Sequence, residues 1–305
     1  MFKARKNWRA LLLAVLVISS FTIAGCTVGE LPGTGGSTPG STPSEYQQVL
    51  NNSLLALKNS VTYKFAINIT MAMDVKGGST AGKLDVSSTM NGTSKQNTNE
   101  AQIDLNMSLK SNQQDIAPGT QNVNLQMYLI ANTLYLGMDL PTSGHQWFKA
   151  DYSEDIAKAY NINEVDEQLA PLTANVTNLK YVKSETFDGS DCYVLTMTPN
   201  MAEIILWVSQ DLPASVNADQ IAKIFKQLSY TVWIAKDSSH LKNLEGTMQL
   251  QISAGQFSGS DNVDLSSMAM NITLGMKVYD YNIPVTITLP PGAKSAAELP
   301  ILAKE

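Results

Sequence analysis

Residues 61–75 read Val-Thr-Tyr-Lys-Phe-Ala-Ile-Asn-Ile-Thr-Met-Ala-Met-Asp-Val. Every odd position is apolar, whereas the even positions are Thr62, Lys64, Ala66, Asn68, Thr70, Ala72 and Asp74. Successive side chains of a strand point to opposite faces, so strict period two over this length describes one strand with one buried face. At about 3.3 Å per residue it would run roughly 50 Å. A strand that long twists and curves rather than lying flat.

The alternation returns on both sides of this stretch. Leu84, Val86 and Met90 mark a second strand; Ala101, Ile103, Leu105, Met107 and Leu109 a third; Val123, Leu125, Met127 and Leu129 a fourth. Ala131-Asn132-Thr133 reads as a tight turn into Leu134, Leu136, Met138 and Leu140, and Asp188-Gly189 turns Tyr181–Phe187 into Tyr193–Thr198. Tyr230–Ala235 is followed by Met248, Leu250 and Ile252, then by Met268 through Val278, and last by Ile283, Val285, Ile287 and Leu289. Short connections between such strands imply an antiparallel meander with one apolar and one wet face.

Helical spacing surrounds and interrupts the meander. Ser44 and Gln47 form a capping signature ahead of Tyr46, Val49, Leu50, Leu54 and Leu57 on one face. Mid-chain candidates are Ser153–Tyr160, Glu164–Leu172, Ile204–Val208, and a helix after Asn217 with Ile221, Ile224, Phe225 and Leu228 on one side. The expected fold is therefore α+β: a strongly curved antiparallel sheet, a half-barrel, with helices covering its concave apolar face.

The N-terminus is of a different kind. Lys3, Arg5, Lys6 and Arg9 precede an apolar run from Ala10 to Ala24, and no acid occurs before Glu30. About 15 apolar residues fall short of the roughly 20 needed to span a bilayer, as in a secretory signal. The run closes on Ile23-Ala24-Gly25-Cys26, which resembles a bacterial lipobox. Residues 1–25 then form a lipoprotein signal peptide, and residues 26–44 form a lipidated cysteine with a Gly/Ser/Thr/Pro tether. Residues 45–305 form a single domain. Two or more acyl chains on Cys26 suffice for stable anchoring. Cleavage takes four of the 21 basic residues and none of the 27 acidic ones, leaving 17 against 27, a net charge of −10. No basic stripe marks a nucleic-acid partner. Cys192 has no second cysteine to pair with and is expected to pack as a small buried hydrophobe.

Catalytic constellations are missing from the sequence. His145 and His240, the two histidines, read as surface-turn residues, and the acidic pairs Glu154/Asp155 and Asp166/Glu167 sit at expected helix starts, where they meet the helix dipole. No nucleophile elbow, phosphate loop, zinc-protease motif or Cys-x-x-Cys pair occurs. The expectation is a protein that is not an enzyme and carries no cofactor or metal. Methionine is instead abundant on the apolar side of the strands, and this flexible, polarizable side chain suits either irregular core packing or adaptable binding surfaces. Under the second alternative the lining of an apolar ligand cavity would be Phe65, Ile67, Ile69 and Met71, then Leu105, Met107, Leu125, Met127, Leu136 and Met138, and Met248, Leu250, Met270, Ile272 and Leu274.

Lipobox, tether, helix, long alternating strands, mid-chain helices and returning strands together resemble the LolA/LolB-type half-barrel, in particular extracytoplasmic lipoproteins of the LppX/LprG kind. Three stretches are similar to that family: Tyr181–Pro199, Tyr230-Thr-Val-Trp-Ile-Ala-Lys-Asp, and Ile283-Pro-Val-Thr-Ile-Thr-Leu-Pro-Pro. The resemblance covers about Glu45 to Pro300. It implies a lipid or acyl chain held between sheet and helices, on a protein anchored at the extracytoplasmic side of a membrane. The same fold also serves as an envelope sensor with a protein partner, and a surface lipoprotein without ligand is a third reading.

Overall fold

The computed structural model describes residues 45–77, 81–112, 119–140, 144–152, 176–199, 223–253 and 266–298. Helix α1 (Glu45–Lys58) leads into β1 (Thr62–Lys76), the strand announced by the alternating stretch. There follow β2 (Gly82–Lys95), β3 (Glu100–Ser111), β4 (Gly119–Ile130), β5 (Thr133–Leu140) and β6 (Gly144–Asp151). The second half holds β7 (Thr177–Phe187), β8 (Ser190–Thr198), β9 (Phe225–Ala235), β10 (Leu241–Ser253), β11 (Ser267–Tyr279) and the two-residue β12 (Ala297–Glu298).

These strands form one sheet in the order β12-β6-β5-β4-β3-β2-β1-β11-β10-β9-β8-β7. Two meanders meet at its centre, where β1 pairs antiparallel with β11 from Lys64↔Tyr279 to Lys76↔Ser267. The sheet is large, curved and not closed into a barrel. Tight turns make the hairpins: Ala131 and Asn132 take φ of 48° and 62°, and Asp188 and Gly189 take 48° and 75°. Positive φ at both central residues matches the strand twist, which is why Asn and Gly occupy these turns.

The period-two pattern is realised on β1, where Tyr63 and each odd residue through Val75 are buried. Their cross-strand partners continue one apolar face: Met71 lies between Val86 and Ile272, and Met73 between Leu84 and Met270. Near one end of this face the core is dense, with Phe65, Tyr230, Val232, Ile234, Leu244, Met276 and Val278 in a cluster with Leu50 and Leu57 of α1. Helix α1 packs against β7, β9 and β10, and Tyr46 stacks on Tyr181 at 5.3 Å.

Four expectations are corrected. Val61 lies outside β1 and is 48% exposed. The helical pattern ending in Phe225 and Leu228 gives way to strand at Phe225, because these residues pair with Leu250 and Met248 across a bulge in β9 that leaves Lys226 unpaired in the ladder. His145 belongs to β6, not to a loop. Residues 283–289 form no strand of the sheet: Pro284, Pro290 and Pro291 lack the N–H a ladder needs. The segment instead leads to a 3₁₀ turn (Pro291–Ser295) and to β12, parallel to β6. The expected helices at 153–160, 164–172 and 204–208, and the beginning of the one after Asn217, lie outside the described residues, as do Cys26 and the tether. The sheet with α1 is thus what the structure describes of the half-barrel.

Candidate functional site

The ladder register brings all fifteen of the expected lining residues to the same face. Leu105 stands opposite Leu125, which stands opposite Met138, and Met127 lies opposite Leu136. On the other side of β1, Met71 pairs with Ile272 and Ile272 with Met248, while Met270 pairs with Leu250. Their exposure is graded. Phe65, Ile67, Ile69, Met71, Met127, Leu136, Met270 and Ile272 are buried. Leu105, Met107, Leu125, Met138, Met248, Leu250 and Leu274 are half-buried. The half-buried ones lie on β3–β5 and on β10–β11, flanking a closed centre at β1 and β2.

Sequence reasoning did not include Met73, Val75, Leu109 and Met268, which share this face. Their own alternation was the signal that could have added them. One lining residue, Phe65, is packed against both bare backbone and an aromatic neighbour. The Phe65 ring covers Gly92, where an added Cβ would meet Cζ at 2.1 Å. Tyr63 contacts it at 6.4 Å between ring centroids. Aromatic rings over strand glycines recur at Tyr230 over Gly246 and Trp147 over Gly137, a cross-strand packing that fills the gap left by the missing side chain. Phe65 therefore closes one end of the apolar face.

The titratable groups stand elsewhere. His145 Nδ1 pairs with Asp139 Oδ1 at 2.8 Å and meets Trp147 edge-on at 5.3 Å. Hydrogen bonds from Asn124 and His145 hold the Asp139 carboxyl below the usual carboxylate range. His240, expected as a surface residue, is half-buried and stacks face to face on Tyr281 at 4.0 Å. Burial lowers its pKa, with Lys242 acting in the same direction. Lys183 and the Trp233 indole N–H both hold Glu185 ionised. Cys192 is buried, as expected, and burial raises its thiol pKa. Among the described residues no group of three His, Cys, Asp or Glu side chains could hold a metal ion, and no helix is long and apolar enough to cross a membrane.

An open groove of about 520 Å³ lies on the opposite, polar face of the sheet. Its lining includes Thr70, Ser87, Ser108, Thr120, Asn271 and Thr273, with Asp85 and Lys110 facing each other across β2 and β3. No sequence expectation pointed to it.

The model of a family described as "Family of unknown function (DUF6612)" matches residues 45–298. No curated protein matches the chain in sequence. Among solved structures, the chain is similar to the lipoprotein LppX of Mycobacterium tuberculosis at 17% identity, over 81% of this chain and 100% of that one, with a TM-score of 0.37. It is similar to LprF from Mycobacterium bovis at 18% identity, over 82% and 99%, with a TM-score of 0.41. A putative outer membrane lipoprotein-sorting protein domain from Vibrio parahaemolyticus matches at 14% identity, over 78% and 95%, with a TM-score of 0.20.

Proposed function

The chain belongs to the DUF6612 family of unknown function, and from the geometry of its sheet we propose that it is a lipoprotein of the cell envelope that binds acyl chains without chemically altering them. Residues 45–305 act as one domain, tethered through Cys26 to the extracytoplasmic side of a membrane.

The observation that carries this reading is the graded exposure of the methionine-rich face. A core that only fills space leaves few of its apolar side chains half-open, because burial of each stabilises by roughly 1.5–3 kcal/mol. Here Met107, Met138 and Met248, with Leu105, Leu250 and Leu274, stay half-buried on both flanks of β1. Their unbranched or γ-branched side chains can rearrange around an acyl chain, and methionine does so at low cost in packing. An apolar chain laid along either flank would remove that surface from water, and no polar group needs to be deprotonated or moved.

The test is the protein spanning residues 27–305, purified without harsh detergent and examined by native mass spectrometry and solvent extraction. Bound lipid is expected as added mass that extraction removes. Met248→Lys and Met107→Lys, at half-buried positions, should lose the added mass while keeping the far-ultraviolet spectrum of the sheet. A clean apo mass with nothing extractable counts against the reading.

A second reading, an envelope sensor or interaction lipoprotein without lipid, draws on edge strand β7, where Tyr181 and Val182 are 41% and 52% exposed. Crosslinking in intact membranes from a photoreactive group at Val182 would then capture a protein partner, and Met248→Lys would leave that capture unchanged.

A further inference from the structure

The polar face carries an arrangement that the proposed lipid site does not use. Thr247, Thr273, Thr70, Ser87 and Ser108 stand opposite one another on β10, β11, β1, β2 and β3. They form one row of hydroxyls running across five strands, and four of them, Thr273, Thr70, Ser87 and Ser108, line the groove. The Thr70 and Thr273 hydroxyls are 2.6 Å apart, and Ser229 reaches Thr247 at 3.0 Å. A second row runs beside the first: Asn68, Thr89, Asn106, Asn124, Asp139 and His145, from β1 to β6. Asn124 donates to Asp139 at 3.0 Å in this row.

Such rows select their occupant by chemistry and by spacing. Hydroxyls and amides donate and accept at once, so they match a ligand whose groups do the same. Adjacent strands are about 4.8 Å apart, close to the length of one sugar ring along a linear glycan. A polysaccharide lying across the strands therefore meets one polar side chain per ring. Charge agrees: the hydroxyl row is neutral, Asp85 faces Lys110 beside it, and Asp139 is already engaged by Asn124 and His145. There is no excess of either sign to hold an ionic polymer.

We propose that the polar face of the sheet binds a neutral polysaccharide chain laid across β10, β11, β1, β2 and β3, on the side opposite the acyl-chain face. The two sites are independent, so one can fail without the other.

The mature lipoprotein, solubilised in a non-ionic detergent, is run in native gels cast with hydroxyethyl cellulose, with laminarin, with dextran sulfate or without polymer. Retardation by a neutral polymer is expected, together with an at least tenfold rise in apparent Kd for the double variant Thr70→Val/Thr273→Val. That variant removes two exposed hydroxyls while keeping β-branched strand formers, and Ser87→Lys, which fills the groove, should act in the same direction. No retardation by either neutral polymer overturns the proposal. So does retardation that both variants leave unchanged, or retardation by dextran sulfate alone. Lipid extracted from the same samples should not change between the variants and the parent.

Discussion

Gly92→Ala tests the assignment of Phe65 as the side chain that closes the apolar face. An alanine Cβ at this position would lie 2.1 Å from Phe65 Cζ, 2.5 Å from Cε1 and 2.7 Å from Cε2. All three are well inside van der Waals contact, and the ring is buried between strands, so it has little room to move away. Overpacking of this kind costs about 1–3 kcal/mol, whereas replacing a strand glycine by alanine returns about 0.5–1 kcal/mol of backbone entropy. Phe65→Ala alone should cost about 3–5 kcal/mol. In the Phe65→Ala background the clash is absent, so Gly92→Ala should become neutral or stabilising. The entropy gain cancels in the double-mutant cycle, and the coupling that remains is the clash itself, about 1–3 kcal/mol. Urea unfolding of the four proteins, followed by tryptophan fluorescence and circular dichroism, measures it. Equal effects of Gly92→Ala in both backgrounds, with coupling below about 0.5 kcal/mol, would refute the packing and return Phe65 to the candidates for direct ligand contact.

Two further predictions concern the join between α1, β1 and the segment after β11. His240 is held neutral in the folded protein, first by burial and then by Lys242, against an opposing effect of Asp237. Because the unfolded chain takes up this proton near pH 6.5 and the folded chain only lower, stability should fall as pH drops below about 6.5. His240→Gln should flatten that part of a melting-temperature profile, and an unchanged slope would remove His240 as its source. Asn282 adopts φ of 58° and accepts the Val61 N–H at 2.8 Å. Asn282→Ala should cost about 2 kcal/mol from the left-handed backbone and the lost hydrogen bond together, and Asn282→Gly about half as much; equal melting temperatures for the two variants would contradict this division.

Much of the fold was legible because β1 is central and its period is clean: Tyr63 to Val75 are buried at each odd position, and β2, β9 and β11 largely repeat the alternation. The same rule misled at the C-terminus. Alternation in Ile283, Val285, Ile287 and Leu289 reports an extended backbone with two unlike sides, but it is silent on whether a ladder partner exists, and the prolines around it decided that. At Phe225 and Leu228 the spacing satisfies a helix as well as it satisfies β9, and pairing with β10 settled the matter. Strand β6 gave no signal because both of its faces are half wet, with Trp147 on the polar side near Tyr128 at 5.9 Å and Phe148 on the apolar side opposite Leu136.

The two faces were legible to very different degrees, and the reason lies in the register. Membership of the apolar face follows from period two alone, so its residues could be named one by one. Their exposure could not: Ile103 and Leu105 are two apart on the same face of β3, yet Ile103 is buried and Leu105 half-buried. The hydroxyl row has no local signature at all, since Thr70, Ser87, Ser108, Thr247 and Thr273 are scattered over two hundred positions of the chain. It exists only because the apolar face fixes the pairing. A slip of one residue between β1 and β11 would turn an entire strand's apolar side to water, so burying Met71 against Ile272 leaves Thr70 no partner but Thr273. The demand that buries one face thus assembles the other, and a substitution that loosened the β1–β11 register would be expected to disable both proposed sites together.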